Sequence, residues 1–222
     1  MNNNQKQFLA KLCRLSSKHN SYEIFIDFIN YAYNRLNKYT LYNYKKPIRV
    51  KYSDLSDYYF ELLLLLEKGL VDLNCDFLGD IFNELSLTDK KNLGQCFTPF
   101  YLSYACAKMI LADASNILEK KGSLVISEPA AGTGSMIIAT FKYLQELNID
   151  TMKVYFQAVE LSQTTYRALA VQLNMIGCKA VVINGNTLSL KKYDHTCTQG
   201  LLYLTSNWEG FRDSCLKDFG GI

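Results

Sequence analysis

The chain has 222 residues, 49% of them apolar and 20% charged, with a formal net charge of +3. That composition supports a sizeable buried core and excludes a disordered or low-complexity chain. The longest purely aliphatic run, LLLLL at 62–66, is too short to span a bilayer, and MNNNQKQ lacks the layout of a secretory signal, so the chain reads as soluble and cytoplasmic.

Phe8, Leu12 and Leu15 fall on one face of a helix predicted over 5–19. Asn20 and Glu23 have capping-box spacing, and Phe25, Phe28, Ile29, Ala32 and Leu36 continue as a second amphipathic helix. RLNKYTLYNYKKPIRVKY (35–52) interrupts the pattern, and Pro47 argues against a helix interior there. A third helix is predicted over 57–68 with Gly69 as its stop, and a fourth over 77–85. In GQCFTPF (94–100), Thr98 reads as an N-cap and Pro99 as the first helical residue of a helix running to about 120, ended by Gly122. Then come a strand over 123–127, a glycine loop, a helix over 135–147 and a strand over 154–160. Ser162 caps a helix over 163–176 that stops at Gly177, a third strand covers 180–183, and a fourth apolar run, GLLYLTS, covers 200–206. Strands alternating with helices predict an α/β fold with a parallel sheet and right-handed crossovers. The expected division is an N-terminal helical region over 1–90 and an α/β domain over 91–222.

Seven cysteines, at 13, 75, 96, 106, 178, 197 and 215, include no CxxC pair, and their odd number fits reduced thiols better than a disulfide framework. His195 and Cys197 are too few to make a zinc site, and no metal is expected. Charge is unevenly spread. Residues 1–51 hold ten Lys/Arg against Glu23 and Asp27, whereas 52–90 is acidic. Arg35, Lys38, Lys45, Lys46, Arg49 and Lys51 are interleaved with Tyr39, Tyr42, Tyr44 and Tyr52. Cations that neutralise phosphates beside rings that stack on bases make this stretch a candidate nucleic-acid-binding arm. The alternative is a solvated loop whose cations pair with the acidic segment.

The loop SEPAAGTGSM (127–136) sits between a strand and a helix. A phosphate-binding GxxxxGK[ST] loop needs a lysine that is absent, and a dinucleotide GxGxxG needs a third glycine where Ile137 stands. What remains is Glu128 followed by Gly132 and Gly134, which lets backbone approach an adenosyl-type ligand at a helix N-terminus. Glu160, at the end of the second strand, suits a ribose diol because a carboxylate accepts two hydroxyl hydrogens.

With these residues the chain resembles the adenine-specific (N6) DNA methyltransferases related to the modification subunits of type I restriction-modification systems, and most closely the small DNA methylases of conjugative plasmids. Four elements carry the resemblance in order: GQCFTP (94–99), EPAAGTG (128–134), VELS (159–162) and GNTL (185–188). Together with their spacing they cover about residues 75–195, and Cys96 and Ala131 depart from the commoner residues. The resemblance implies a Rossmann-like methyltransferase fold and S-adenosylmethionine as cofactor. It places Thr98, Pro99 and the loop residues Glu128, Pro129, Ala130, Gly132 and Gly134 at the methionine end, Glu160 at the ribose and Asn186 beside the adenine. DNA is the implied partner.

One family element is missing. These enzymes use [DN]-P-P-[YFW] after the fourth strand to accept the hydrogens of an amine and to stack on a flipped base. The prolines here are Pro47, Pro99 and Pro129, so none follows the loop. Asn207 and Trp208, after the fourth apolar run, are the candidates for that place. The family's sheet has seven strands and four are predicted here, so the fold is shortened. Its open edge calls for cover by the N-terminal helices, a second copy or another protein. The sequence leans towards an active adenine-specific methyltransferase. The alternative is an inactive cofactor- or DNA-binding regulatory protein, or one part of a split enzyme.

Overall fold

The computed structural model describes residues 1–15, 19–37, 47–85, 96–198, 207–217 and 219, with side chains at all of them except 37 and 207–209. Four helices come first: α1 (Asn3–Leu15), α2 (Ser21–Asn37), α3 (Ser56–Leu70) and α4 (Phe77–Glu84). Helix α1 starts earlier than its apolar spacing suggests because Asn2 and Gln5 cap each other. The Gln5 N–H donates to Asn2 Oδ1 at 2.9 Å and the Asn2 N–H to Gln5 Oε1 at 2.6 Å. Phe8 then meets Phe25, Phe28 and Phe77 edge-on at the centre of the bundle.

Two expectations for this region are corrected. Asn20 accepts the Tyr22 N–H at 2.8 Å, but Glu23 closes no capping box with it. Its carboxylate instead takes the Lys51 ammonium and the Tyr52 hydroxyl, each at 2.7 Å, and a charge-assisted pair outweighs a cap at an exposed helix start. Gly69 does not stop α3, which continues to Leu70. A Cβ on Gly69 would lie 2.3 Å from Phe77 Cε2, so glycine is there to let α3 meet the first turn of α4.

Asp27, on α2, holds the chain that re-enters at 47–52. Its carboxylate accepts the N–H of Lys51 at 2.6 Å, the N–H of Tyr52 at 2.8 Å and the hydroxyl of Tyr59 at 3.1 Å.

The single helix expected to about 120 is two helices, α5 (Phe100–Ile110) and α6 (Ala114–Lys121), with Gly122 in the left-handed region closing the second. Asp113 favours the N-cap position over a helix interior, and its carboxylate accepts the side-chain Nδ2 of Asn116. Helix α5 also starts one residue late. Pro99, with ψ 136°, holds the N-cap position, and Thr98 lies before it, outside the helix.

Strands β1 (Leu124–Glu128), β2 (Val154–Glu160) and β3 (Ala180–Asn186) are parallel and lie side by side in that order. Beside β3 runs β4 (Lys191–Cys197), and it is antiparallel, so the described sheet is mixed where a purely parallel one was expected. The expected strand at 200–206 lies outside the described residues. Helices α7 (Ser135–Glu146) and α8 (Gln163–Met175) follow β1 and β2, with Phe141 packed on Phe156. Helix α9 (Asn207–Lys217) packs on the sheet through Phe211 on Tyr155 and a hydrogen bond from Gln157 to the Cys215 carbonyl. Val159, Val181, Ile183 and Cys197 form a small second core with Cys215 and Phe219 there. The main core runs unbroken from Phe8 and Phe28 into Leu169 and Val182.

Helix α2 docks on α8, where Tyr33 and Tyr166 share a hydroxyl–hydroxyl bond at 3.1 Å and Arg167 donates to Asn30 at 2.7 Å. Among the described residues β1 pairs only with β2. Tyr101, Leu102, Met109 and Ile110 of α5 and Val125 of β1 are exposed. No described helix is long and apolar enough to cross a membrane.

Candidate functional site

The carboxyl ends of β1, β2 and β3 carry Glu128, Glu160 and Asn186, which is where ligands sit in open parallel sheets. The glycine loop crosses this end. Gly132 has φ +57° and Gly134 φ +111°, conformations that leave the turn no room for larger residues. The Ala131 N–H donates to the Val159 carbonyl at 2.8 Å, and the Gly132 N–H donates to Glu160 Oε2 at 2.9 Å. The loop leaving β1 is therefore stapled to the end of β2. Glu128 turns back to accept the Ala130 N–H at 3.1 Å.

Glu160 is 9% exposed, and its other oxygen accepts the Ser162 N–H at 2.7 Å. Burial pushes its pKa up, against hydrogen bonds from the backbone of Ser162, Gly132 and Leu161. With the Gly132 N–H on one oxygen and the Ser162 N–H on the other, the carboxylate keeps acceptor capacity towards a ligand hydroxyl. Gly134 is the N-cap of α7, and the free amides of that helix's first turn face the same end of the sheet.

The other two sequence elements meet this loop. Phe97, from the segment holding Thr98 and Pro99, is buried, and a Cβ on Gly132 would stand 3.2 Å from its ring. Thr98 and Pro99 themselves are exposed. From β3, the Thr187 hydroxyl donates to the Pro129 carbonyl at 2.5 Å. Asn186 spends its side-chain oxygen on its own turn, accepting the N–H groups of Leu188 at 2.9 Å and Ser189 at 3.1 Å. Its Nδ2 hydrogens are what it can offer a ligand. Thr187 was missed as a site residue, although the T of GNTL was its signal. Asp76 and Gln172 behind the loop were missed too. The one visible sign was a glutamine inside the apolar pattern of α8, where Gln172 is fully buried.

The remaining candidates are elsewhere. Asn207 opens α9, and the side chains of Asn207 and Trp208 lie outside the described residues. Of the basic arm, Lys38, Lys45 and Lys46 are also outside. Arg35 lies over the Phe60 ring at 4.8 Å, and Lys51 pairs with Glu23 at 2.7 Å. Arg49 is exposed and lines a shallow pocket with Tyr22, Asn30 and Lys51. Among the described residues no three His, Cys, Asp or Glu side chains are grouped to hold a metal.

The family model for N-6 DNA methylases matches residues 73–207. A solved class I S-adenosylmethionine-dependent methyltransferase from Listeria monocytogenes superposes with a TM-score of 0.48 at 12% identity, covering 92% of this chain and 71% of that chain. No curated protein matches. The matched span runs from the residues before α4 through the glycine loop, Glu160 and the turn after β3, and on that match the chain belongs to the N-6 DNA methylase family.

Proposed function

We propose that the chain is an S-adenosylmethionine-dependent DNA methyltransferase directed at the adenine amino group, with its cofactor held at the carboxyl ends of β1–β3. The observation that carries this reading is the joint fixing of Gly132 by Glu160 and of Pro129 by Thr187, which brings three family elements to one place. When bound, S-adenosylmethionine supplies an activated methyl group. The chain's own residues bind and orient. Glu160 accepts the ribose hydroxyls, the Gly132–Gly134 backbone and Thr98 and Pro99 flank the methionine end, and Asn186 offers Nδ2 to the adenine ring. The basic stretch around Arg35, Lys38, Lys45, Lys46, Arg49 and Lys51 supplies phosphate contacts on DNA.

Calorimetric titration with S-adenosylmethionine tests the pocket, with Gly132→Asp as the control, since its side chain meets Phe97 and its charge enters the site. Binding by the wild type and not by Gly132→Asp is the expected result. Radiolabelled methyl transfer to unmethylated DNA of varied sequence then tests the reaction. Absence of label with cofactor bound would count against an active enzyme.

The absence of proline after Pro129, together with the one-sided pairing of β1, favours a second reading. There, a further polypeptide lays a strand along β1 and completes the catalytic end. Label appearing only after that partner is added would select it.

Glu160 gives the cofactor pocket a pH signature. Its pKa is raised, so the carboxylate that accepts the diol is lost, as pH falls, sooner than an ordinary glutamate near 4.5. Affinity should fall as pH drops through the raised pKa. Glu160→Gln puts an amide donor against the N–H of Gly132 or Ser162, so it should weaken binding at all pH values and flatten the profile. An unchanged slope in Glu160→Gln would assign the titration to another group.

A further inference from the structure

Three described carboxyls are buried: Asp27, Asp76 and Glu160. Asp27 ties the returning chain to α2, and Glu160 faces the proposed cofactor. Asp76 lies behind the glycine loop, on the N-cap of α4, 3% exposed. Its Oδ1 accepts the Gly79 N–H at 3.0 Å and the Gln172 amide at 2.8 Å, and its Oδ2 accepts the Thr133 hydroxyl. The same Gln172 amide donates to the Thr133 carbonyl at 2.8 Å, and Gln172 Oε1 accepts the Leu78 N–H at 3.0 Å. The cluster is packed without slack, since a Cβ on Gly79 would lie 2.3 Å from Asp76 Oδ2 and 2.6 Å from Thr133 Oγ1.

Thr133 is the residue between the two positive-φ glycines. Glycine backbones set little of their own conformation, so the shape of Gly132–Gly134 has to be imposed from outside. Glu160 imposes it from the front through the Gly132 N–H. From behind, the hydroxyl and carbonyl of Thr133 are both held, by Asp76 and Gln172. Burial raises the Asp76 pKa, so the fold keeps a carboxyl where its charge is disfavoured, and an apolar residue would pack there without that cost.

We propose that Asp76 is a positioning residue for the cofactor loop, acting through Thr133 to hold Gly132–Gly134 in the shape that receives the methionine end of S-adenosylmethionine. The proposal rests on reading that loop as the cofactor site. It makes α4, which precedes the glycine-loop fold in sequence, a working part of the pocket. Coupling of this kind is reciprocal, so bound cofactor tightens α4 as α4 tightens the loop.

Two measurements on the full chain separate this proposal from the reading beneath it. Hydrogen exchange of the Gly132 and Gly134 amides, without cofactor, reports loop order. Calorimetric titration with S-adenosylmethionine reports affinity. The variants are Asp76→Ser, which keeps an N-cap for Gly79 but is too short to reach Thr133, together with Thr133→Val, Thr133→Ser and the Asp76→Ser/Thr133→Val pair. Asp76→Ser and Thr133→Val should each speed loop exchange and weaken affinity roughly tenfold, as loss of a hydrogen bond to a carboxylate implies. The pair should be little worse than Asp76→Ser alone, because the bond that Thr133→Val removes is already lost in Asp76→Ser. Thr133→Ser keeps the hydroxyl and should restore both readouts, which a merely structural role would not require. If Asp76→Ser fails to fold, Thr133→Val carries the test. Unchanged loop exchange, or affinity losses that multiply in the pair, would overturn the positioning role. A wild type that binds no cofactor, with the loop still loosened in Asp76→Ser, would bring down the cofactor reading and this proposal with it.

Discussion

Gly134→Ala is expected to unfold the cofactor end of the sheet before anything else in the chain. The residue sits at φ +111°, outside the left-handed basin that alanine tolerates best, and its Cβ would lie 2.8 Å from Leu169 Cδ1. Leu169 is fully buried, so its Cδ1 gives way only by repacking against its neighbours. Backbone strain of about 1–3 kcal/mol adds to overpacking of about 1–3 kcal/mol. The sum, about 2–6 kcal/mol, should lower the melting temperature by roughly 4–24 °C, and S-adenosylmethionine affinity should fall more than tenfold. Gly122 and Gly177 also have positive φ, but a Cβ at either meets nothing within 4 Å. Alanine there should cost only about 1 kcal/mol. Thermal melts of the three variants decide the matter. Equal losses at positions 134 and 177 would mean that the Leu169 contact imposes nothing.

The second large effect lies far from the loop. Asp27→Ala removes the acceptor of three donors at once, the N–H groups of Lys51 and Tyr52 and the hydroxyl of Tyr59. Water can reach the two half-exposed amides, but Tyr59 is fully buried and its hydroxyl would be stranded. At about 1–3 kcal/mol for a stranded buried group and less for the others, the loss should be about 2–4 kcal/mol in chemical denaturation. Glu23→Ala is the contrast. Its bonds to Lys51 and Tyr52 are exposed, and their loss should leave stability nearly unchanged. A small effect at Asp27 would mean that residues 47–52 hold their place by packing alone.

The elements best read from the sequence were those with both an apolar run and a local stop. β2 was expected over 154–160 and spans Val154–Glu160, and the Ser162 cap is present as an acceptor for the Thr165 N–H. The glycine loop and the glutamate beside it were legible because glycine and acid types are constrained there by backbone geometry and charge. β4 was not, because KKYDHTC carries little apolar signal. As a strand hydrogen-bonded to β3, with Lys191 and Tyr193 exposed, it owes its place to register more than to hydrophobic drive. Gly69 looked like a stop because its contact with Phe77 is set by tertiary packing. Asp76 was invisible for the same reason: its partners Thr133 and Gln172 lie 57 and 96 residues away.

The linear order β1-β2-β3-β4 also says how the chain comes off the ribosome. Each strand finds its neighbour in the segment made just before it, so the sheet can grow one edge at a time without waiting. The N-terminal helices have no such luck. Tyr33 must wait for Tyr166, a separation of 133 residues. At ordinary synthesis rates that is roughly 7–27 s during which the face of α2 destined for α8 is bare. The interval is a window for chaperone capture, and it closes when the helix after β2 is complete.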